Sequence, residues 1–452
     1  MYVQLTDIIS DSCKFLCDPS KIRLFHLDKK NYNPDPVYKF SLDWDDIGLA
    51  YGYPGFILLF SALTHANIFG DTSSITHAYI LALKEALENR KNYLSSSLFS
   101  GISGISFALR MAAKNKGDYQ KFLSKLDQYL LKDVRDNFIK PIRRNVSINK
   151  PSSSVLWDVI SGLCGIGRYL LFALSFEPEI FRPFLTELIE TILLFCRPIS
   201  VGKHEVPGWF LSKDDLINHD IATSNTKGNF NLGYAHGTPG ILAFLSLCSM
   251  SNIDVSNQKE TIAKITQWVE QKSVQRNFQT VWSYTVSYEE EVGLANIGSS
   301  VSGFRDAWCY GTPGVSRALF LAGKALNDDL LKTRAIKSFD EIFTRSPEVW
   351  NIPGTGLCHG IAGLLLITFE MAKEKECLHL KEKVEFLKML LLNQYSSQNS
   401  FGFQEIELTK SKALFKINKP GFLEGACGVL LTLLYCEGLI DSSHVSLPLL
   451  LS

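Results

Sequence analysis

Two cysteines and a histidine stand at matching places in the sequence, and their types are those of a metal centre. Cys309 and Cys358 each lie two residues before a Gly-x-x-G tetrapeptide, and His359 follows the second cysteine directly. Thiolate sulfur and imidazole nitrogen are common ligands of Zn²⁺. Three protein ligands leave one coordination position open, which is the pattern of a catalytic zinc site. We therefore predict one zinc ion per chain, held by these three residues.

Taken one at a time, these residues would be ordinary. An unpaired cysteine usually behaves as a small buried hydrophobe, and a single histidine in a core is common. Only the matched position in two consecutive repeats favours ligation. The other eight cysteines do not share it and are interpreted as thiols without a function: Cys13, Cys17, Cys164, Cys196, Cys248, Cys377, Cys427 and Cys436.

The elements that would position these residues are marked by a sevenfold repeat. The Gly-x-x-G signal recurs with its first glycine at Gly52, Gly101, Gly162, Gly237, Gly311, Gly360 and Gly425. A run that is apolar almost all round follows each pair, which is typical of a buried helix. Amphipathic stretches lie between the runs and are predicted as outer helices: Ile75 to Arg90, Phe181 to Cys196, Thr261 to Lys272 and Cys377 to Leu391.

Seven helical hairpins with their inner helices packed together predict an all-α fold, the α/α toroid, with seven inner and seven outer helices. An open solenoid is the alternative, but an open array needs a polar cap, and every inner run here is apolar. Residues 1–452 are predicted to form one domain, with residues 1–45 packing on it as an extension. Short strands are expected in the loops Pro207 to Asn231, Val281 to Tyr288 and Phe401 to Lys419.

Composition excludes several classes of protein. The chain has 46 Lys+Arg and 46 Asp+Glu among 452 residues, so zero net charge argues against bulk electrostatic binding of nucleic acid. Ten cysteines in so long a chain do not suggest a disulfide scaffold. The first residues lack the features of a secretory signal, and no run is long enough to span a bilayer. We expect a cytoplasmic protein.

Three motifs carry a family resemblance. Gly233-Tyr234-Ala235-His236-Gly237, Trp308-Cys309-Tyr310-Gly311 and Leu357-Cys358-His359-Gly360 resemble the motifs of the lanthionine synthetase C (LanC-like) family, in the same order. The resemblance implies an α/α toroid with zinc at one end. It also implies the reaction of the bacterial lantibiotic cyclases, which add peptide cysteine thiols to dehydroalanine or dehydrobutyrine and so close (methyl)lanthionine rings. It assigns zinc to Cys309, Cys358 and His359, places Trp308 beside the metal, and implies catalytic roles for His236, Asp158, Arg305 and Tyr310.

The residue types suit that reaction. His236 precedes its glycine pair as His359 does, and imidazole can carry a proton near neutral pH. Asp158 would orient that ring, and Arg305 would stabilise an enolate oxygen. Each has a simpler alternative: Asp158 as a helix cap, Arg305 in a solvated ion pair with Asp306, and Tyr310 as a packing residue. His219 is a weaker candidate for proton transfer, and Glu424 a candidate for contact with substrate.

The implied partners follow from the chemistry. The substrate would be a dehydrated precursor peptide, so a dehydratase must supply it, and the resemblance implies a membrane-associated complex with that enzyme and an export transporter. Two alternatives stay open: a LanC-like protein that adds glutathione to dehydro residues, and a non-catalytic, zinc-containing toroid that binds a peptide. A carbohydrate-active toroid is disfavoured, because it would need paired carboxylates in the funnel.

Overall fold

The computed structural model describes residues 2–36, 44–91, 93–115, 117–215, 227–299 and 303–452. They group into two compact units, one drawn from residues 1–95, 99–127 and 352–448, the other from residues 96–98, 128–351 and 449–452. Within the described ranges, no helix combines the length and apolarity that crossing a bilayer requires.

Helices dominate both units. In chain order they are α1 (Tyr2–Leu16), α2 (Pro19–Leu27), α3 (Tyr53–Ala66), α4 (Thr72–Asn89), α5 (Ile102–Ala112), α6 (Gln120–Val134), α7 (Lys140–Ser147), α8 (Leu163–Ala173), α9 (Pro178–Phe195), α10 (Thr238–Met250), α11 (Gln258–Gln271), α12 (Tyr288–Glu291), α13 (Thr312–Leu326), α14 (Asp329–Asp340), α15 (Ile361–Ala372), α16 (Lys381–Leu392) and α17 (Ala426–Cys436).

The seven predicted inner helices are all present, as α3, α5, α8, α10, α13, α15 and α17. The first glycine of each pair is the residue directly before its helix. In six of the seven pairs, the second glycine lies in the first turn with a carbonyl of the preceding loop close to where its Cβ would be. A Cβ at Gly314 would lie 2.5 Å from the carbonyl oxygen of Trp308, and one at Gly363 would lie 2.0 Å from that of Leu357. Glycine is therefore required for the loop to fold back on its helix.

Outer helices follow six of the inner ones. They are α4, α6, α9, α11, α14 and α16, and α6 continues through a π-helical segment, Arg135–Ile139, into α7. They carry a buried face and a solvated one. In α9, for example, Phe181, Leu185 and Leu188 are buried at helical spacing, whereas Glu179 and Glu190 are exposed.

The seventh inner helix, α17, is followed by two short 3₁₀ turns, Ser442–His444 and Leu447–Leu449. The N-terminal helix α1 supplies the outer layer there. Its Asp11 carboxylate accepts a hydrogen bond of 3.1 Å from the hydroxyl of Tyr395, just beyond α16. At its other end, the carbonyl of Leu16 accepts one from Tyr79 on α4. Because α1 contacts the outer elements on both sides, it takes the outer position of the seventh hairpin.

The strands are short and lie in the loops. They are β1 (Ile199–Val201), β2 (His204–Val206), β3 (Leu211–Ser212), β4 (Gly228–Asn231), β5 (Val274–Arg276), β6 (Gln279–Val281), β7 (Thr285–Ser287), β8 (Glu405–Leu408) and β9 (Leu414–Ile417). The pair predicted in Phe401 to Lys419 is confirmed as the antiparallel hairpin β8–β9. The other two predicted loops meet in the sheet β3–β4–β7. His219 lies outside the described residues.

Candidate metal centre

Cys309, Cys358 and His359 form a group that can hold a metal ion. One ligand atom from each lies within 4.8 Å of the others. All ten cysteines are free thiols, so both sulfurs are available as ligands. Two thiolates with one imidazole match the ligand preference of Zn²⁺ and disfavour Mg²⁺ or Ca²⁺, which prefer oxygen. The residues present therefore fit the predicted metal.

Cys309 lies in the loop that leads into α13, and that loop is bound to the one before α10. The backbone N–H of Ala235 donates to the carbonyl of Cys309 at 3.3 Å. This contact sets His236, the next residue, close to Cys309, and the sequence register predicted that proximity. Cys309 is buried.

The last four residues hold this region in a way that sequence reasoning missed. The indole of Trp308 donates to the carbonyl of Leu449 at 3.1 Å, and the hydroxyl of Tyr234 donates to that of Leu450 at 2.6 Å. The carbonyl of Leu451 accepts from the guanidinium of Arg317. Trp308 and Tyr234 are one and two residues from Cys309 and His236, so this segment braces both motifs. Its apolar sequence carried no signal, because only its backbone makes these bonds.

The Asp158 carboxylate contacts its own loop through one oxygen and His236 through the other. One carboxylate oxygen accepts the backbone N–H groups of Ser161 and Gly162, at 2.6 and 3.0 Å, directly before α8. The N–H groups that it accepts precede the first residue of α8, so the alternative prediction of a helix cap is wrong. The other lies 2.7 Å from Nδ1 of His236. The Asp158 side chain is 1% exposed, whereas that of His236 is 37% exposed. A buried carboxylate, fixed by backbone donors, therefore orients an imidazole that solvent can reach.

The environment of His236 favours its protonated form. Burial lowers the pKa of the ring, but the hydrogen bond and negative charge of Asp158, with a smaller contribution from Cys309, outweigh burial and raise that pKa above its ordinary value near 6.5. An imidazole of this kind is held ready to donate a proton near neutral pH.

This balance predicts a change in the titration of His236. In zinc-free protein, Asp158→Asn should move the pKa of His236 from above about 6.5 to below it, because burial would then lack its main opposing charge. The ring proton shifts of His236, followed by NMR against pH, measure both values, with exposed His77 as internal reference. Since folding raises the wild-type pKa, the stabilisation from this pair is fully present below about pH 6.5 and is lost as pH rises through the raised value. A variant that titrates like wild type would contradict this assignment.

Tyr310 and Arg305 flank Cys309. The Tyr310 hydroxyl accepts a hydrogen bond of 3.0 Å from the amide of Asn231, and its ring lies 5.0 Å from that of Tyr284. Tyr310 therefore packs against Tyr284 and also has a hydroxyl held in one orientation, so both predicted alternatives, catalysis and packing, stay open.

Arg305 is half-buried. Asp306 forms a salt bridge of 2.9 Å with Arg345, and the carboxylate is 3% exposed.

The pair between Asp306 and Arg345 carries a stability prediction. Burial raises the pKa of Asp306 to about 6, against the opposing charge of Arg345. Arg345→Met would leave that carboxylate buried and unpaired, so we expect a loss of about 3 kcal/mol in unfolding free energy at pH 8. The loss should shrink near pH 5, because a protonated Asp306 no longer needs the cation. Urea unfolding at both pH values measures this, with Arg345→Lys as the charge-retaining control. Equal losses at both pH values would contradict the prediction.

Cys358 and His359 lie in the loop that leads into α15. The backbone N–H groups of Leu357 and Cys358 both donate to the carbonyl of Leu423, at 3.1 and 2.9 Å. This bond brings Glu424 beside His359, with 3.8 Å between a carboxylate oxygen and Nδ1 of the ring. Glu424, predicted as a substrate contact, is itself paired with Lys419 at 2.6 Å.

Comparison with known proteins agrees with this architecture. The model of the family described as lanthionine synthetase C-like protein matches residues 43–449. The nisin biosynthesis protein NisC of Lactococcus lactis subsp. lactis is 24% identical over 416 residues, which cover 91% of each chain. A solved structure of a nisin cyclase matches with a TM-score of 0.73 at 23% identity, covering 90% of this chain and 93% of that one. This likeness confirms the predicted fold class, an α/α toroid of helical hairpins.

Proposed function

Because the chain belongs to the lanthionine synthetase C-like family, we propose that it is a zinc-dependent lantibiotic cyclase. It would add cysteine thiols of a dehydrated precursor peptide to dehydroalanine or dehydrobutyrine and form (methyl)lanthionine thioether rings. The observation that carries this proposal is the group of two cysteines and one histidine in matching loops, since three ligands leave a position for a substrate thiol. The curated relative NisC, named for nisin biosynthesis, supports the same reaction.

Bound zinc would supply a deprotonated substrate thiol near neutral pH, where a free thiol with a pKa near 8.5 is mostly protonated. Cys309, Cys358 and His359 would hold the ion. Backbone hydrogen bonds join the Cys309 loop to the loop before α10 and the Cys358–His359 loop to the loop before α17, so the backbone at each ligand is restrained without a metal. Pre-positioned ligands cost little ordering free energy when the metal binds.

His236 would protonate the α-carbon of the enolate that forms when the thiol attacks the β-carbon. A bond forms between the sulfur and the β-carbon, the carbon–carbon double bond is lost, and the negative charge lies on the enolate oxygen until the α-carbon is protonated. Asp158 favours the imidazolium and holds the ring in one orientation. Arg305 would stabilise the enolate oxygen, and the Tyr310 hydroxyl, oriented by Asn231, would contact the same group.

Addition of glutathione to dehydro residues is the second candidate, because the same ligands and the same imidazole would serve it. We favour the peptide cyclase because the similar proteins are named for nisin biosynthesis and nisin cyclisation. The non-catalytic alternative is less favoured, since a purely structural zinc site takes four protein ligands and has no need of the His236–Asp158 pair.

The proposed setting follows from the substrate. A dehydratase must convert serine or threonine to dehydro residues before ring closure, and an export transporter would remove the product. We propose a cytoplasmic enzyme that associates with the membrane through these two partners.

A thiol count tests the proposal, because ring closure leaves the mass of the peptide unchanged. A dehydrated precursor peptide is incubated with the enzyme and then alkylated, and mass spectrometry counts the remaining thiols. We expect alkylatable cysteines to disappear only with zinc-loaded protein. A parallel reaction with glutathione and a linear dehydropeptide tests the second candidate. Adducts of glutathione without any ring closure would favour that candidate instead.

A further inference from the structure

A chain of buried charged groups ends at the imidazole of His359. Lys419 forms salt bridges with Glu407 at 2.7 Å and with Glu424 at 2.6 Å, and its own side chain is only 6% exposed. The other oxygen of Glu424 lies 3.8 Å from Nδ1 of His359. Tyr51 donates a further side-chain hydrogen bond to Glu424. Burying such charges costs free energy, so the contribution of these ion pairs to stability does not by itself explain them.

The charges of Lys419 and its neighbouring carboxylates do not sum to zero. Three largely buried carboxyl groups, Glu405, Glu407 and Glu424, interact with the one ammonium group of Lys419. Glu405 and Glu424 both interact electrostatically with His359, and a carboxylate oxygen of Glu424 lies 3.8 Å from its Nδ1. Lys419 and Tyr51 hold Glu424 in place, so its carboxylate is not free to act as a mobile acid or to follow a substrate. Glu407 differs in its surroundings, because its second oxygen accepts a hydrogen bond of 3.2 Å from the amide of Asn33.

We propose that Glu424 is the positioning residue for the metal ligand His359: it accepts a hydrogen bond from Nδ1 and so presents the other ring nitrogen, Nε2, to the metal. This inference rests on the proposed zinc site. Metal-bound histidines generally donate their second ring N–H to a carboxylate or carbonyl, which fixes the tautomer and raises the basicity of the ligand. The present 3.8 Å is an ion-pair separation, and a hydrogen bond needs an approach to about 3.0 Å. A small rotation of the half-buried His359 side chain would supply it.

Zinc affinity is the direct test, because it reads the ligand rather than the reaction. Zinc dissociation constants of the full-length protein would be measured by competition with a chromophoric chelator. For Glu424→Gln we expect affinity about 10- to 100-fold weaker than wild type, the usual effect of removing such a partner. Glu424→Asp retains a carboxylate, so part of the affinity should return. It also keeps the test available if the glutamine variant does not fold.

Glu407→Gln is the matched control, because Glu407 forms a salt bridge with the same lysine. It should keep wild-type zinc affinity while losing a comparable amount of thermal stability in the zinc-free state. Equal affinity losses in E407Q and E424Q would show that the chain of charges is only structural and would overturn the inference. Unchanged affinity in E424Q would overturn it too, with the proposed zinc site intact. A wild-type protein that binds no zinc would overturn both.

Discussion

Cys309→Ala and Cys358→Ala proteins are expected to lose zinc and to close rings roughly 3 × 10³-fold more slowly than wild type. Two losses combine in that figure. A substrate thiol with a pKa near 8.5 is about 3% ionised at pH 7, so loss of the metal costs about 30-fold in thiolate. Misplacement of the reacting sulfur costs about another 100-fold.

Two measurements check this expectation. Elemental analysis of purified protein gives zinc per chain, and the thiol count on a dehydrated precursor gives the rate of ring closure. Cys309 comes from the loop before α13 and Cys358 from the loop before α15, so either change removes one of only two sulfurs in the group. The two variants should therefore behave alike.

Cys164→Ala is the matched control. Cys164 is a fully buried thiol in another Gly-x-x-G tetrapeptide, and burial raises the pKa of its thiol well above the ordinary value, so it stays protonated. Its replacement should cost stability but should keep zinc and ring closure. Should the Cys309→Ala and Cys358→Ala proteins lose zinc and still close rings at the wild-type rate, the proposed mechanism would be wrong.

The repeat made the fold predictable. Every first glycine precedes an inner helix, because the chain must turn sharply there and the second glycine must approach a carbonyl. The Gly-x-x-G repeat in the sequence thus corresponds to a repeated turn of the backbone into each inner helix. The outer layer was less predictable. No local pattern predicts that α1 contacts α4 and the segment just beyond α16, since those contacts depend on packing between distant segments.

The same distinction holds at the candidate site. Cys309, Cys358 and His359 were predictable as a group because equal register in adjacent repeats implies proximity. The link between Asp158 and His236 was a hypothesis, and the structure bears out their contact at 2.7 Å. The sequence did not predict that Lys419 and Leu449–Ser452 support the site. The lysine lies just beyond a short strand, where exposed lysines are common, and the final residues act only through backbone carbonyls. Neither feature has a sequence signature.

Replacement of His236 is also expected to reduce the rate of ring closure strongly. His236→Ala should slow ring closure by about 10²- to 10⁴-fold, the usual contribution of a positioned proton donor, while zinc content stays at the wild-type level. Retained zinc separates this variant from the cysteine variants. If the protein loses its zinc, or closes rings at the wild-type rate, His236 does not have the proposed role.

Asp158→Asn sharpens this expectation, because it changes the proton donor without removing it. Asparagine can still accept the backbone N–H groups of Ser161 and Gly162, so the start of α8 should stay intact. It lacks the charge that raises the pKa of His236, and burial would then lower that pKa. The rate loss in D158N should therefore grow as pH rises, since fewer imidazolium groups remain to deliver a proton. A rate loss that is the same at every pH would indicate that Asp158 only orients the ring, and that the proton comes from another group.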